Sequence, residues 1–174
     1  MQNRDATLTV VGTMRALGLR AEPQQVHWAV VEGQANQPVL VEHDKAQPPV
    51  SIRKKEAEVL NWYRKRVEFL VGKYDVQFVG VRYQETHGRR GNVDSICRRS
   101  RIEGVLAEAA FASGASVVAG GLVQLSAQLE TKSAKHYIDE AELRGLDLSQ
   151  LAAQRREAVL AGVAALASQP ETEP

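Results

Sequence analysis

Apolar residues in the first third of the chain fall into short runs separated by polar breaks. "MRALGLRA" (14–21), "VHWAVVEG" (26–33) and "PVLVEHD" (38–44) read as three strands, the second ending at Gly33. The separators "EPQQ" and "GQANQ" are short and polar, as hairpin connections are. Three such strands in succession predict an antiparallel meander, which "AQPP" (46–49) ends. The period then lengthens. Val59, Tyr63, Val67 and Leu70 recur at helical spacing and predict a helix over 51–71, with Ser51 as its cap and Gly72 at its end. "VQFVGVRY" (76–83) reads as a fourth strand, and "QETHGRRGN" (84–92) as a polar connection. A second helix is predicted over 93–113. Its apolar and small-residue stripe runs through Val93, Ile96 or Cys97, Ser100, Gly104, Ala107 and Phe111. A fifth strand follows at 116–119, then a helix with a turn over 131–146. The last helix is predicted over 149–167, with Asp147 or Ser149 as its cap.

This order, β-β-β-α-β-α-β-α-α, predicts an α/β fold. Three antiparallel strands followed by alternating helix and strand make a mixed five-stranded sheet with helices on both faces. Residues 1–14 read as an N-terminal extension with an added strand at 8–11. Residues 15–167 read as one domain, and "SQPETEP" (168–174) as a disordered acidic tail.

Composition narrows the class. A chain of 174 residues with 44% hydrophobic and 25% charged residues is long enough, and apolar enough, for a substantial core. The net charge of +1 does not mark a nucleic-acid binder, so any basic surface must come from local clustering. The single cysteine, Cys97, allows no internal disulfide and fits a reducing compartment. No apolar run approaches the ~18 residues of a membrane span. The first residues lack the pattern of a secretory signal. The expectation is a cytoplasmic protein that does not enter the membrane.

Two stretches carry a family resemblance. "RALGLRAEPQQVHWAVVEG" (15–33) resembles the first hairpin of the RNase H-like superfamily, in particular the Holliday-junction resolvases of the RuvC type and the related YqgF-like proteins. "KYDVQFVGVRYQETHGRRGNVDSICRRSRIEGVLAEAAFASGASVV" (73–118) is similar to that family's fourth strand, loop, small-residue helix and fifth strand. The resemblance covers about residues 15–167 and rests on element order and local texture. It implies hydrolysis of phosphodiesters by two divalent metals, held by carboxylates from the first strand, the fourth strand and the last helix. In this chain the first-strand position is Arg20 and the end of the fourth strand is Arg82. The last helix offers Gln154 and Glu157 where the resemblance implies an acidic pair.

Arginine is a donor with no accepting lone pair, so it cannot ligate a cation. The expected protein is therefore a nuclease fold with a degenerate centre at Arg20, Arg82 and Glu157, no bound metal and no cofactor. The alternative is an active centre rebuilt from Glu22, Glu32 or Glu85. Two roles stay open for the arginines. They could pair with Glu157 and tie the sheet to the last helix. They could instead grip phosphates, for which planar bidentate donors are suited. Arg89, Arg90, Arg98, Arg99 and Arg101 extend the basic set after the fourth strand, with His87 beside them. "TKSAKHY" (131–137) adds Lys132 and Lys135, in a segment that resembles the family's lysine-bearing one. All are candidate nucleic-acid contacts. A second basic set (Arg53, Lys54, Lys55, Arg64, Lys65 and Arg66) reads as solvated helix surface. His27, His43, His87 and His136 lack metal-ligand spacing. Cys97 is expected to pack within its helix, and Trp28 and Trp62 in a core or interface. The partners expected are nucleic acid, a protein, or a second copy in a homodimer.

Overall fold

The computed structural model describes residues 13–85 and 92–168. The expected strand at 8–11, the tail beyond 168, and His87, Arg89 and Arg90 lie outside the described residues. Strands β1 (Arg15–Ala21), β2 (Val26–Gln34) and β3 (Gln37–Ala46) form the meander. Helix α1 (Glu56–Tyr74), β4 (Phe78–Arg82), α2 (Val93–Ala112) and β5 (Ser116–Gly120) follow. The sheet has five strands in the order β3-β2-β1-β4-β5. β1–β2 and β2–β3 are antiparallel, whereas β1–β4 and β4–β5 are parallel. Two short helices, α3 (Leu122–Gln128) and α4 (Ala134–Asp139), lead to a two-stranded ribbon, β6 (Glu142–Leu143) and β7 (Leu146–Asp147). Helix α5 (Ala153–Ala167) ends the described chain.

Alternation along β1 assigns its residues to two cores. Leu17, Leu19 and Ala21 pack with Val59, Tyr63, Val67 and Leu70 of α1 and Ile102 and Leu106 of α2. Ala16 packs on the other face with α5, α3 and α4. Every residue of α5 from Ala158 to Leu166 is buried, so this helix is the spine of the second layer. Its small residues allow an unusually close approach. A Cβ added at Gly18 would lie 1.8 Å from the Ala158 carbonyl oxygen, and one at Gly80 would lie 1.9 Å from that of Ala161. Only glycine fits at either strand position, which seats α5 directly over β1 and β4.

Several boundaries depart from the expectation. Residues 50–52 form a 3-10 turn after Pro49, so Ser51 caps nothing and α1 starts at Glu56. Glu56 and Glu58 then occupy the first turn, where carboxylates suit the helix dipole. Helix α1 runs past the exposed Gly72 and ends where Asp75 turns left-handed at φ 51°. Helix α5 starts at Ala153, because Asp147 accepts from the Ser149 N–H at 2.9 Å and closes a local turn. The guanidinium of Arg156 donates to the carbonyls of Leu148, Leu151 and Ile138, holding that turn against the helix.

The largest correction concerns α2. Its buried residues are Arg99, Ile102, Glu103, Leu106, Ala109 and Ala110, whereas Val93, Phe111 and Cys97 are exposed. The expected stripe was on the wrong side. A buried ion pair, Arg99 with Glu103, lies on the inward face and reads in sequence as surface.

Candidate functional site

Strand register brings one row of side chains to a single edge of the sheet. Lys45 pairs with His27, His27 with Arg20, Arg20 with Arg82, and Arg82 with Gly120. This is the edge at which the parallel strands end. Arg20 and Arg82 follow Gly18 and Gly80 at two-residue spacing, so both side chains point to the α5 side. Two like charges side by side on neighbouring strands repel. Glu157, in the second turn of α5, lies between them. Its Oε2 accepts from Arg20 Nε at 2.7 Å and lies 3.1 Å from Arg82 Nε. Arg20 also donates to the carbonyl of Ala21. The side chains are 12% exposed at Arg20, 7% at Arg82 and 15% at Glu157, so the cluster is nearly enclosed.

A second ion pair lies against the first. Arg99 Nε donates to Glu103 Oε1 at 2.9 Å, and the same oxygen accepts from the Gln84 N–H at 2.9 Å, just past β4. Burial dominates both members, pushing the Glu103 carboxyl up and the Arg99 guanidinium down to about 10. Burial likewise lowers Arg82, against the opposing fields of Glu157 and Glu85. Donors outnumber acceptors here. The Arg82 Nε–Glu157 contact is an ion pair out of hydrogen-bond alignment, and Arg82 Nε, Arg82 Nη1 and Arg99 Nη2 are buried without an acceptor.

The carboxylates that could rebuild a metal centre do not converge. Glu22 closes the β1–β2 turn, accepting from Gln25 Nε2 at 2.6 Å and lying 3.0 Å from His27 Nε2. Burial raises its carboxyl, but the hydrogen bonds from Gln25 and His27 outweigh this and hold it below the ordinary range. Glu32 pairs with Arg15 at the opposite end of β1, at 2.9 Å. Glu85 accepts from the Leu122 N–H at 2.5 Å and lies 3.7 Å from Arg82 Nη2.

Comparison with solved structures supplies the family of shapes. The chain superimposes on Thermus thermophilus RuvC with a TM-score of 0.67 at 18% identity, covering 87% of this chain and 92% of that one. The same protein in complex with a Holliday junction substrate gives 0.63 at 17% identity, over 87% and 91%. The fold is RuvC-like. Fowlpox virus resolvase, solved with Holliday junction DNA, is more distant at 0.50 and 12% identity, over 89% of this chain and 98% of that one. No protein-family model matches the sequence, and no curated protein matches it.

The residues at the centre of this RuvC-like fold do not fit a divalent cation. Two of the three central groups are donors that repel one. The third, Glu157, already has both guanidinium groups within ion-pair distance. Among the described residues, no group of three His, Cys, Asp or Glu side chains is placed to hold a metal ion.

The other expected site residues divide by position. Arg99 turns inward, and its place in the set of solvent-facing contacts is taken by an internal pair. Arg98 and Arg101 face out from α2. Lys132 and Lys135 are exposed at the α3–α4 turn and start of α4, on the α5 side of the sheet, where Lys135 pairs with Asp139. Among the described residues neither ion-pairs with the central cluster. Sequence reading missed Glu103, whose signal was its i,i+4 spacing from Arg99. It also missed that Arg98 donates to the Arg53 carbonyl and Arg101 pairs with Glu56, contacts between distant segments that no local pattern encodes.

Proposed function

We propose that the chain is a RuvC-like pseudo-nuclease: a protein that binds nucleic acid, alone or as a subunit of a nucleic-acid-processing assembly, and does not cut it. The observation that carries this reading is Glu157 held between Arg20 and Arg82. This puts tethered positive charge at the two strand ends where the sequence resemblance implies carboxylates. The central arginines then serve to fasten the sheet to α5. Phosphate contact falls to the outward cations, foremost Arg98 and Arg101. The RuvC and fowlpox resolvase structures that share the fold were solved with Holliday junctions, which makes branched DNA the first ligand to try. Among the described residues no helix is long and apolar enough to cross a membrane.

The test is a native-gel titration with labelled four-way junction, duplex, and single-stranded DNA and RNA. The expected result is a shifted complex that weakens steeply with salt, because released counterions drive phosphate binding. No shift at low salt, together with an oligomer that survives high salt, would replace this reading with that of a structural homodimer or protein-interaction subunit.

A further inference from the structure

The 3-10 turn and α2 enclose a cleft of about 510 Å³, lined by Arg53, Lys54, Arg98 and Arg101 together with Glu56 and Asp94. We infer that this cleft is a seat for the phosphodiester backbone of a nucleic acid, separate from the central arginine cluster. The inference rests on the proposed nucleic-acid function and names the surface that would carry it.

Helical spacing builds one wall. Asp94, Arg98 and Arg101 lie at i, i+4 and i+7 on α2 and share a face, while Arg99, one residue on, turns into the protein. The other wall is the turn after the two prolines, Pro48 and Pro49. It is braced from both sides: Arg53 Nε donates to the Pro48 carbonyl at 2.9 Å, and Arg98 Nη2 donates to the Arg53 carbonyl at 3.1 Å. These bonds fix the backbone and leave the charges facing the cleft. Elsewhere on the surface, arginines such as Arg15 and Arg64 are matched by carboxylates. In the cleft only Arg101 is, through Glu56 at 2.5 Å, and that pair is more than half exposed on both sides. Among the described residues Arg53, Lys54 and Arg98 have no carboxylate partner within ion-pair distance.

A chain with net charge +1 thus concentrates unpaired cations in one concavity. Charges held in a cleft focus their field on an incoming polyanion. The cleft sits on the side where β3 and β4 end, since the turn follows β3 and α2 follows β4. It therefore lies at the same end of the sheet as the central cluster, and a backbone could run past both. Arginines that fork toward two oxygens, with a lysine beside them, are donors matched to phosphate. Contacts of this kind position a strand without reading its sequence.

Salt-dependent anisotropy titrations of the full chain test this, with labelled four-way junction and duplex as probes and Lys54→Glu, Lys54→Glu/Arg98→Glu and Lys65→Glu as variants. Lys65 is an exposed cation of α1 that does not line the cleft. Thermal melts confirm that each variant is folded. Loss of a phosphate contact should reduce the slope of log Kd against log salt by about one for each cation removed, equally for both probes. The Lys65→Glu slope should be unchanged. Tight binding by the parent with slopes unaltered in both cleft variants would overturn the cleft and leave the proposed function standing. No binding of either probe by the parent would overturn both. Binding of polyglutamate but not nucleic acid, weakened by Lys54→Glu, would overturn it in favour of an acidic protein partner.

Discussion

Replacing Glu157 with glutamine separates an ion-pair role for this residue from a metal-ligand role, because the two differ in sign. In the structure the carboxylate lies against two guanidinium groups, and all three side chains are at most 15% exposed. Glutamine keeps the shape and removes the charge, leaving Arg20 and Arg82 to repel each other across neighbouring strands. Removing one partner of a buried ion pair costs 3–5 kcal/mol, and residual solvent at the sheet edge puts this case at about 3 kcal/mol. For a domain of this size that lowers Tm by roughly 6–12 °C. Urea unfolding and a thermal melt of Glu157→Gln measure it directly. The loss should shrink in an Arg20→Met background, since the two residues share one interaction. A metal centre behaves oppositely, because clustered carboxylates repel without their cation and losing one relieves strain. A Glu157→Gln variant as stable as the parent, or more so, would refute the ion-pair account.

Gly18→Ala should destabilise by about 3 kcal/mol in urea titration, because the new Cβ meets the α5 backbone and no flexible side chain can yield. Millimolar Mg²⁺ or Mn²⁺ should leave the Tm of the parent unchanged, since a cation that binds only the native state would raise it. Glu103 and Glu22 should act on acid stability with opposite signs. Burial raises Glu103 in the folded state, so its contribution is present at low pH and is lost as pH rises from the ordinary carboxyl value through the raised one. Glu103→Gln should remove that fall in a pH series of melts. Glu22 is lowered in the folded state, so its contribution is present above the ordinary carboxyl value and is lost as pH falls below it; Glu22→Gln should flatten the acid limb.

The sheet was legible because its strands are short apolar runs with polar separators, and the three-strand meander was placed to within about two residues at each end by hairpin chemistry alone. The central cluster was legible through the resemblance, since Arg20, Arg82 and Glu157 stand where it implies acids, and the pairing with Glu157 was one of the two roles left open. Other features were hidden for physical reasons. Arg99 and Glu103 read as surface because charge normally marks solvent, and their mutual pairing inverts that rule and with it the phase of α2. No element is predicted between 119 and 131, yet a short helix forms at Leu122–Gln128, where Glu85, from a distant segment, accepts from the Leu122 N–H. The cleft needs two basic sets, some 45 residues apart, to face each other. Separately each looks like ordinary solvated helix surface.

The proposed pseudo-nuclease rests on the guanidinium–carboxylate tether of Arg20, Arg82 and Glu157 at the centre of the fold. Incubating the protein with labelled four-way junction in Mn²⁺, then resolving the products on a denaturing gel, tests it most directly. The expected result is intact strands, while a parallel native gel shows the junction bound. Mn²⁺-dependent cleavage that disappears in Glu157→Gln, assayed below that variant's Tm, would overturn the tether and assign Glu157 as a metal ligand.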